Sequence, residues 1–545
     1  MSDKDVDLEK SNALDGRSSG ELTAPEFVHT TNVSVQGFKE EHLRRALSAR
    51  QVSMIAIGGS IGTGLFLSTG RALAKGGPAS LVICYSIVGF IVYLVMLCLG
   101  EMTTEYPLAG SFTTFSARFL NEPFSFSIGY NYLINDAVSV AGDLTAAQVL
   151  MDYWLPNGSL NWLPSLLFWV ALVAVNMIHV RAYGELEYAL SLLKVVVIVI
   201  FFFLGIAVNV GAGPDNGYIG AKYWQSSGGF VNGFRGFASL FVTASFAYGG
   251  TESIGITAGE QRNPSRNVPR TIRRVFWRIA IFYILTTIII AFDVPYDFPN
   301  LSSKSTTTSP FTIIWEKAGA KAAGSFMNAV IMTSVLSAGN HALYAGSRVL
   351  YGLSTTGHAP KLFLRTNKNN VPYSAVLAVS SVSLLFFGAS FLPGSANQIW
   401  TWSQNIVGVS NQLAWWTIGL ASWRFRRAWK AQGRSVSQLR FPAPSWAAPF
   451  VVLSVTVIIL VQGWSAFAPW DTESFFANYV ELPVFALLYV VWWAIKRSKT
   501  APLHQVDLDS HRYVDTPADL MDNERIERRE HGKFGVLWRM YSWIA

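Results

Sequence analysis

Apolar runs of about twenty residues recur along this chain of 545 residues, separated by short polar loops. A helix rises about 1.5 Å per residue, so roughly twenty apolar residues cross the hydrocarbon of a bilayer. Twelve such runs are predicted as helices, near 52–73, 80–101, 125–151, 162–180, 188–210, 234–256, 275–294, 325–353, 373–392, 400–421, 447–467 and 480–496. The fold class is therefore an all-α integral membrane protein with twelve transmembrane helices. Residues 1–50 are polar and mixed in charge and read as a disordered cytoplasmic tail. Residues 51–500 form the membrane domain, and 501–545 a second cytoplasmic tail. The apolar stretch 534–538 reads either as a short amphipathic helix or as a disordered end.

Two of the runs are interrupted. Gly59-Ser60-Ile61-Gly62-Thr63-Gly64 puts three glycines into six positions of the first run, and each weakens a helix by roughly 1 kcal/mol. Tyr248-Gly249-Gly250-Thr251-Glu252-Ser253 breaks the sixth. Non-helical backbone at membrane depth is tolerated only against protein or a wet cavity. Interrupted runs at corresponding places in two halves mark the substrate site of a secondary transporter. Runs one to five and six to ten form such halves, of opposite topology because five is odd. Each half opens with a broken run, and runs eleven and twelve lie outside the repeat.

Composition agrees with the membrane reading: 51% of residues are hydrophobic and 14% charged, against about 25% charged in soluble proteins. Mean hydropathy is +0.31 and the isoelectric point is about 9.3. A net charge of +8 raises the question of nucleic acid. The basic residues instead crowd one set of alternate loops, including Arg44, Arg45 and Arg50, then Arg262 to Arg278, then Arg424 to Arg440. That bias places both termini in the cytoplasm. No signal peptide is read, so the first run serves as its own insertion signal. Trp154, Trp162, Trp224, Trp400 and Trp470 read as an outer interfacial belt, and sequons at Asn157 and Asn300 fall in outer loops. Cys84 and Cys98 lie on one predicted helix, roughly 21 Å apart, too far to bridge. No catalytic constellation, phosphate loop, metal-spaced set or cofactor motif is present, so the chain does not read as an enzyme.

The candidate chemistry lies at membrane depth. The freed amides of Gly59 to Gly64, and the positive end of the half-helix after them, suit a carboxylate; Ser60 and Thr63 add hydroxyls. Glu252 is a candidate to hold a substrate amine or to take up and release a proton. Asp136 and Asp143 lie seven residues apart, on one helical face. Facing a cavity, they would suit a cationic side chain; otherwise they pair inside the bundle. Lys194 either snorkels to the interface or sits buried, ready to exchange a proton. Ser334, Ser337, Asn340 and His341 on the eighth run, with Ser403, Gln404, Asn405, Ser410 and Asn411 on the tenth, line the path or join helices.

The text around these positions resembles a known family. Residues 53–66, Leu99-Gly100-Glu101-Met102, Gly249-Gly250-Thr251-Glu252, Ala258-Gly259-Glu260, Asn263-Pro264, Val268-Pro269, Ser337-Ala338-Gly339-Asn340 and Gly346-Ser347-Arg348 are similar to fungal amino acid permeases. These form the yeast amino acid transporter family, in the amino acid–polyamine–organocation superfamily. The resemblance covers about residues 45–500. It implies a LeuT-type 5+5 inverted repeat plus two extra helices, and proton-coupled uptake of amino acids across the plasma membrane. It also implies substrate binding by the two breaks (Gly59, Ser60, Ile61, Gly62, Thr63, Gly64; Tyr248, Gly249, Gly250, Thr251, Glu252). Lys194 matches a lysine linked to proton coupling, which Lys194 or Glu252 would carry. Asp143 falls where lysine and arginine permeases carry an acid. Many members end in an aromatic-aromatic-Cys group; Tyr541-Ser542-Trp543-Ile544-Ala545 has no Cys, so palmitoylation is not expected there. Lys4, Lys10 and Lys39 match tail positions open to ubiquitination.

The expected function is a plasma-membrane proton–amino acid symporter, with lysine and arginine slightly favoured. The alternatives are a broad-specificity or neutral permease, a sensor on the same fold, or a channel. Expected partners are an amino acid, protons, the lipid membrane and the ubiquitination machinery, with no nucleic acid and no cofactor.

Overall fold

Helices account for nearly all of the regular structure, and no strand occurs among the described residues. The computed structural model describes residues 58–530 apart from Ser60, Ala109, 156–159, Asn161, His179, 215–216, 259–260, Arg262, Asn300, 302–308, Ala320, 392–395 and Ala468. The readings for the N-terminal tail with Lys4, Lys10 and Lys39, for Ser60, for both sequons, for Glu260 and for the stretches 534–538 and 541–545 fall outside these residues.

In chain order the α-helices are α1 (Thr69–Glu105), α2 (Phe112–Phe119), α3 (Glu122–Met151), α4 (Leu163–Ile178), α5 (Val180–Asn209) and α6 (Lys222–Ser227). There follow α7 (Gly233–Tyr248), α8 (Ser253–Thr257), α9 (Pro264–Arg278), α10 (Thr286–Asp293), α11 (Pro310–Lys317) and α12 (Lys321–Thr355). The last six are α13 (Tyr373–Gly388), α14 (Ala396–Ala431), α15 (Ala447–Val461), α16 (Thr472–Tyr479), α17 (Glu481–Lys496) and α18 (Pro517–Glu530). Each predicted apolar run contains helix in its described part. By length and composition six helices among the described residues can cross a membrane, or seven if α16 and α17, bent by 45°, are one span. The expectation of twelve crossings goes beyond that measure.

Local chemistry explains the interruptions. Helix α1 holds a corner at Gly77, with φ +84°, followed by Pro78. Glycine alone tolerates that backbone easily, and proline lacks the amide to continue the ladder. The corner is pinned from the side, because Ala79 N–H donates to the Gly229 carbonyl (2.8 Å) and Val231 N–H to the Gly76 carbonyl (2.9 Å). The first two predicted runs thus meet in α1 as two rods joined at this corner. Helix α3 starts at Asn121, whose side chain accepts the Phe124 amide at 2.9 Å, with Pro123 in the first turn.

The outer surface carries large exposed apolar side chains, and the buried interior mixes an apolar core with polar groups. Leu385, Phe203, Leu453 and Leu487 stand more than 60% exposed, as a lipid-facing surface requires. Asn131, Asn135, Gln404, Asn411 and Gln412 are buried and join helices. Asn131 Nδ2 donates to Ser410 Oγ (2.6 Å) and Asn135 Nδ2 to Asn411 Oδ1 (2.9 Å), tying α3 to α14. Helix α3 lies at the centre, packed on α12 and α14, while α1 runs along α7. In lipid, such bonds supply association that burial from water does not.

One residue departs from the sequence reading, and one segment adds contacts that the sequence does not show. Trp400 is buried, not interfacial, beneath the Arg71 guanidinium, which also bonds Asn397 and Thr401. Arg71, in the first turn of α1, is itself buried and takes the ring as its partner. The described part of the segment after Lys499 packs against the helical body. Val506 and Leu508 are buried; the Tyr106 hydroxyl donates to the Leu508 carbonyl (2.7 Å), and Arg512 pairs with buried Glu105 (2.9 Å). Ser265, in the first turn of α9, donates to Asp515 (2.6 Å).

Candidate functional site

Both breaks are present as breaks, and they touch. Helix α7 ends at Tyr248; Gly249 leaves helical geometry (ψ 151°), Gly250 has φ +85°, and helix resumes at Ser253. On the other side Ile61 and Gly62 form a bend, and the chain restarts as a wide π-helical turn, Gly64–Ser68. The Leu65 and Phe66 amides both reach the Gly62 carbonyl at 3.2 Å. A Cβ on Gly250 would stand 2.8 Å from the Gly59 carbonyl oxygen, and one on Gly64 would strike the Ala247 backbone. Glycine at 64 and 250 is what lets the two breaks meet.

A cavity of about 50 Å³ opens between them, room for a few water molecules at about 10–15 Å³ each. The breaks contribute Gly59, Gly62, Thr63, Gly64, Gly249 and Gly250, and α3 contributes Tyr132, Asn135, Asp136, Ser139 and Asp143. His341 of α12 and Asn411 of α14 close it. Thr63 Oγ1 donates to Asp143 Oδ1 at 3.0 Å. Asp143 Oδ2, Asp136 Oδ2 and His341 Nε2 are buried without a hydrogen-bond partner among the described residues. The His341 Nδ1 lies 3.3 Å from the Tyr183 hydroxyl. Asp136, Asp143 and His341 thus line one small space, each with one polar atom unpartnered among the described residues. The carboxylates accept hydrogen bonds, and the ring nitrogen accepts or donates according to its tautomer.

Other candidates sit behind that wall. Glu252 is fully buried and enclosed: Tyr132 OH donates to Oε1 (2.7 Å), while Thr251 Oγ1 (3.2 Å) and Trp415 Nε1 (3.3 Å) donate to Oε2. Tyr248 points away, its hydroxyl on the Tyr85 carbonyl (2.9 Å) and its ring stacked on Tyr283 at 4.3 Å. Ile61 is buried, and its carbonyl accepts from Ser334 (3.3 Å). So Gly59, Gly62, Thr63, Gly64, Asp143, Gly249 and Gly250 line the cavity, whereas Ile61, Tyr248, Thr251 and Glu252 do not.

Lys194 does not reach an interface. It is fully buried, its ammonium bonded to the Gly58 carbonyl (2.9 Å) and to Ser337 Oγ (2.8 Å). Sequence reading missed Glu187, also fully buried. Ser337 donates to its Oε1, and Asn340 Nδ2 donates to Oε2 at 3.2 Å. The signal was available: a carboxylate two helical turns before a lysine, on the same face of an apolar helix. Tyr132 was missed too, because nothing in sequence separates a cavity tyrosine from a core one.

Known proteins match this chain over most of its length. Residues 51–505 match the amino acid permease family. A probable amino-acid permease of Schizosaccharomyces pombe is 39% identical over 490 residues, 86% of this chain and 96% of that one. The lysine-specific permease of Lactococcus lactis is 37% identical (87% and 94% covered), and the general amino-acid permease of Saccharomyces cerevisiae 34% (89% and 83%). Among solved structures, MhsT in complex with L-phenylalanine superposes with a TM-score of 0.51 at 15% identity, covering 75% of this chain and 98% of that one. That likeness shows a LeuT-type fold. On this combined evidence the chain belongs to the amino acid permease family, multi-pass membrane transporters and not enzymes.

Proposed function

We propose that this permease is a plasma-membrane, proton-coupled symporter that takes up amino acids and favours lysine and arginine. One observation carries the cationic preference: Asp136 and Asp143 both line the cavity between the breaks, and each has a buried oxygen without a hydrogen-bond partner among the described residues. A substrate carboxylate belongs on the peptide amides around Gly62 and Gly64, where backbone dipoles favour negative charge. A cationic side chain then belongs beside the two acids. The name of the lysine-specific relative from Lactococcus lactis agrees with this reading.

A cavity of about 50 Å³ is far below the roughly 300–1,000 Å³ of ordinary ligand pockets. The broken helices must part from α3, α12 and α14 for a substrate to enter, as in alternating access. Buried Lys194, bonded to the first break through Gly58, is placed to couple a proton to that movement. Both termini then face the cytoplasm and the inward proton gradient drives uptake.

The test is a competition panel in cells lacking their own permeases. Lysine and arginine are expected to displace labelled lysine best, and a protonophore to abolish accumulation. Equal competition by leucine or phenylalanine would remove the cationic preference, and protonophore resistance would remove proton coupling.

A further inference from the structure

We propose that Glu187 accepts the coupled proton from Lys194 through the hydroxyl of Ser337. The inference rests on the proton-coupling reading above and names the group that completes it.

The geometry is a short chain. Lys194 Nζ donates to Ser337 Oγ at 2.8 Å, and Ser337 Oγ donates in turn to Glu187 Oε1. Among the described residues no direct ion pair joins Lys194 to Glu187, so the hydroxyl stands between base and acid. All three side chains are fully buried. A merely structural pair in so dry a place would be expected to close into direct contact, because the desolvation of both charges is offset best at short range. Here the serine keeps them apart and supplies one acceptor and one donor, which is what a relay needs.

The transfer balances without any further reactant. An N–H bond of the Lys194 ammonium breaks as an O–H bond forms on Ser337 Oγ. The original Ser337 O–H bond breaks as one forms on Glu187 Oε1. The pair passes from ammonium and carboxylate to amine and carboxylic acid, with no net change in charge. Chains of this kind recur where polar groups carry protons through membranes.

Glu187 is also tied to the moving part. A Cβ on Gly58 would overlap its Oε1 and Ser191 Oγ, so the acid lies against the first broken helix. Lys194 holds the Gly58 carbonyl at 2.9 Å. An ammonium grips a carbonyl more strongly than an amine does, so passing the proton to Glu187 loosens the helix that lines the substrate cavity. Asn340 holds the far oxygen of Glu187 and is itself held by Asn176 at 2.8 Å, which fixes the carboxylate for reception. Around the pair, Asp143 from α3 and His341 from α12 are the other titratable groups that face Lys194. His341 is bonded to Tyr183. Neither Asp143 nor His341 hydrogen-bonds Ser337 among the described residues.

The experiment uses the purified full chain in liposomes with a labelled mixture of all twenty amino acids, so that it does not depend on specificity. Accumulation driven by an imposed pH gradient is compared with exchange at equal pH, which needs no net proton movement. Glu187→Gln is expected to lower gradient-driven accumulation at least tenfold more than exchange. Ser337→Ala should show the same split and Ser337→Thr, which keeps the hydroxyl, should reverse it. Parallel loss of both activities in Glu187→Gln, or wild-type accumulation, overturns the relay. If Glu187→Gln does not fold, the Ser337 pair decides, and equal accumulation by the Ala and Thr variants overturns it. A wild-type protein that ignores the gradient removes the proton-coupling reading itself, and the relay with it.

Discussion

Glu252 and Asp143 are both buried acids beside the same cavity, yet the molecule treats them oppositely. Glu252 receives three side-chain donors, from Tyr132, Thr251 and Trp415, which link α3, the second break and α14. Asp143 receives one, from Thr63, and leaves Oδ2 open. A saturated carboxylate is a fastener, since removing it strands its donors; an unsaturated one in a polar cavity waits for a partner. The contrast shows that depth alone does not assign a role to an acid; the donors around it, and what they in turn are bonded to, have to be read as well.

The contrast can be broken at its strongest point first. Glu252→Gln replaces an acceptor of three bonds with a group that must aim an N–H₂ at one of the donors. An unsatisfied buried donor costs about 1–3 kcal/mol. Uptake of every amino acid, normalised to surface protein, is expected to fall at least a hundredfold. Wild-type uptake at normal surface expression would show that the fastener is dispensable. Next, Gly250→Ala forces a side chain into a left-handed backbone 2.8 Å from the Gly59 carbonyl, where strain alone runs to about 1–3 kcal/mol. It should separate the two breaks and reduce uptake of all substrates more than tenfold, measured as initial rate per surface molecule.

Asp143→Asn sharpens the other side of the comparison. It keeps the Thr63 bond and removes only charge, so lysine and arginine uptake should drop about tenfold more than that of neutral amino acids. Equal losses would argue against an acidic side-chain subsite. The smallest effect is expected of Thr63→Val, which frees Asp143 Oδ1 from one hydrogen bond, a net change of about 1 kcal/mol. The lysine KM should shift by roughly fivefold, read from uptake kinetics, with yield unchanged.

What the sequence disclosed follows from how local each feature is. The two breaks were legible because glycine density is a property of six adjacent residues, and the positive φ of Gly250 is what those glycines permit. That Asp136 and Asp143 share one helical face was legible from a seven-residue spacing; that this face meets a cavity was not. Side-chain direction was not. Tyr248 belongs to the second break by position, but Tyr85, 163 residues away, claims its hydroxyl. Trp400 looked like an interfacial anchor until Arg71, distant in the chain, stacked on it. The buried Glu101–Arg426 pair, bonded at 2.6–2.9 Å, joins residues 325 apart. Such partners are set by packing of whole helices, which no local window records.

The central claim is that the substrate lies between the two breaks, with its carboxylate on backbone amides and its side chain toward α3. An experimental structure of the full chain, determined with the amino acid that competes best for uptake, tests it most directly. Ligand density bounded by Gly62, Gly64 and Gly249, with the side chain reaching Asp136 or Asp143, is the expected result. Density elsewhere in the molecule, with the breaks still in contact, would contradict the account.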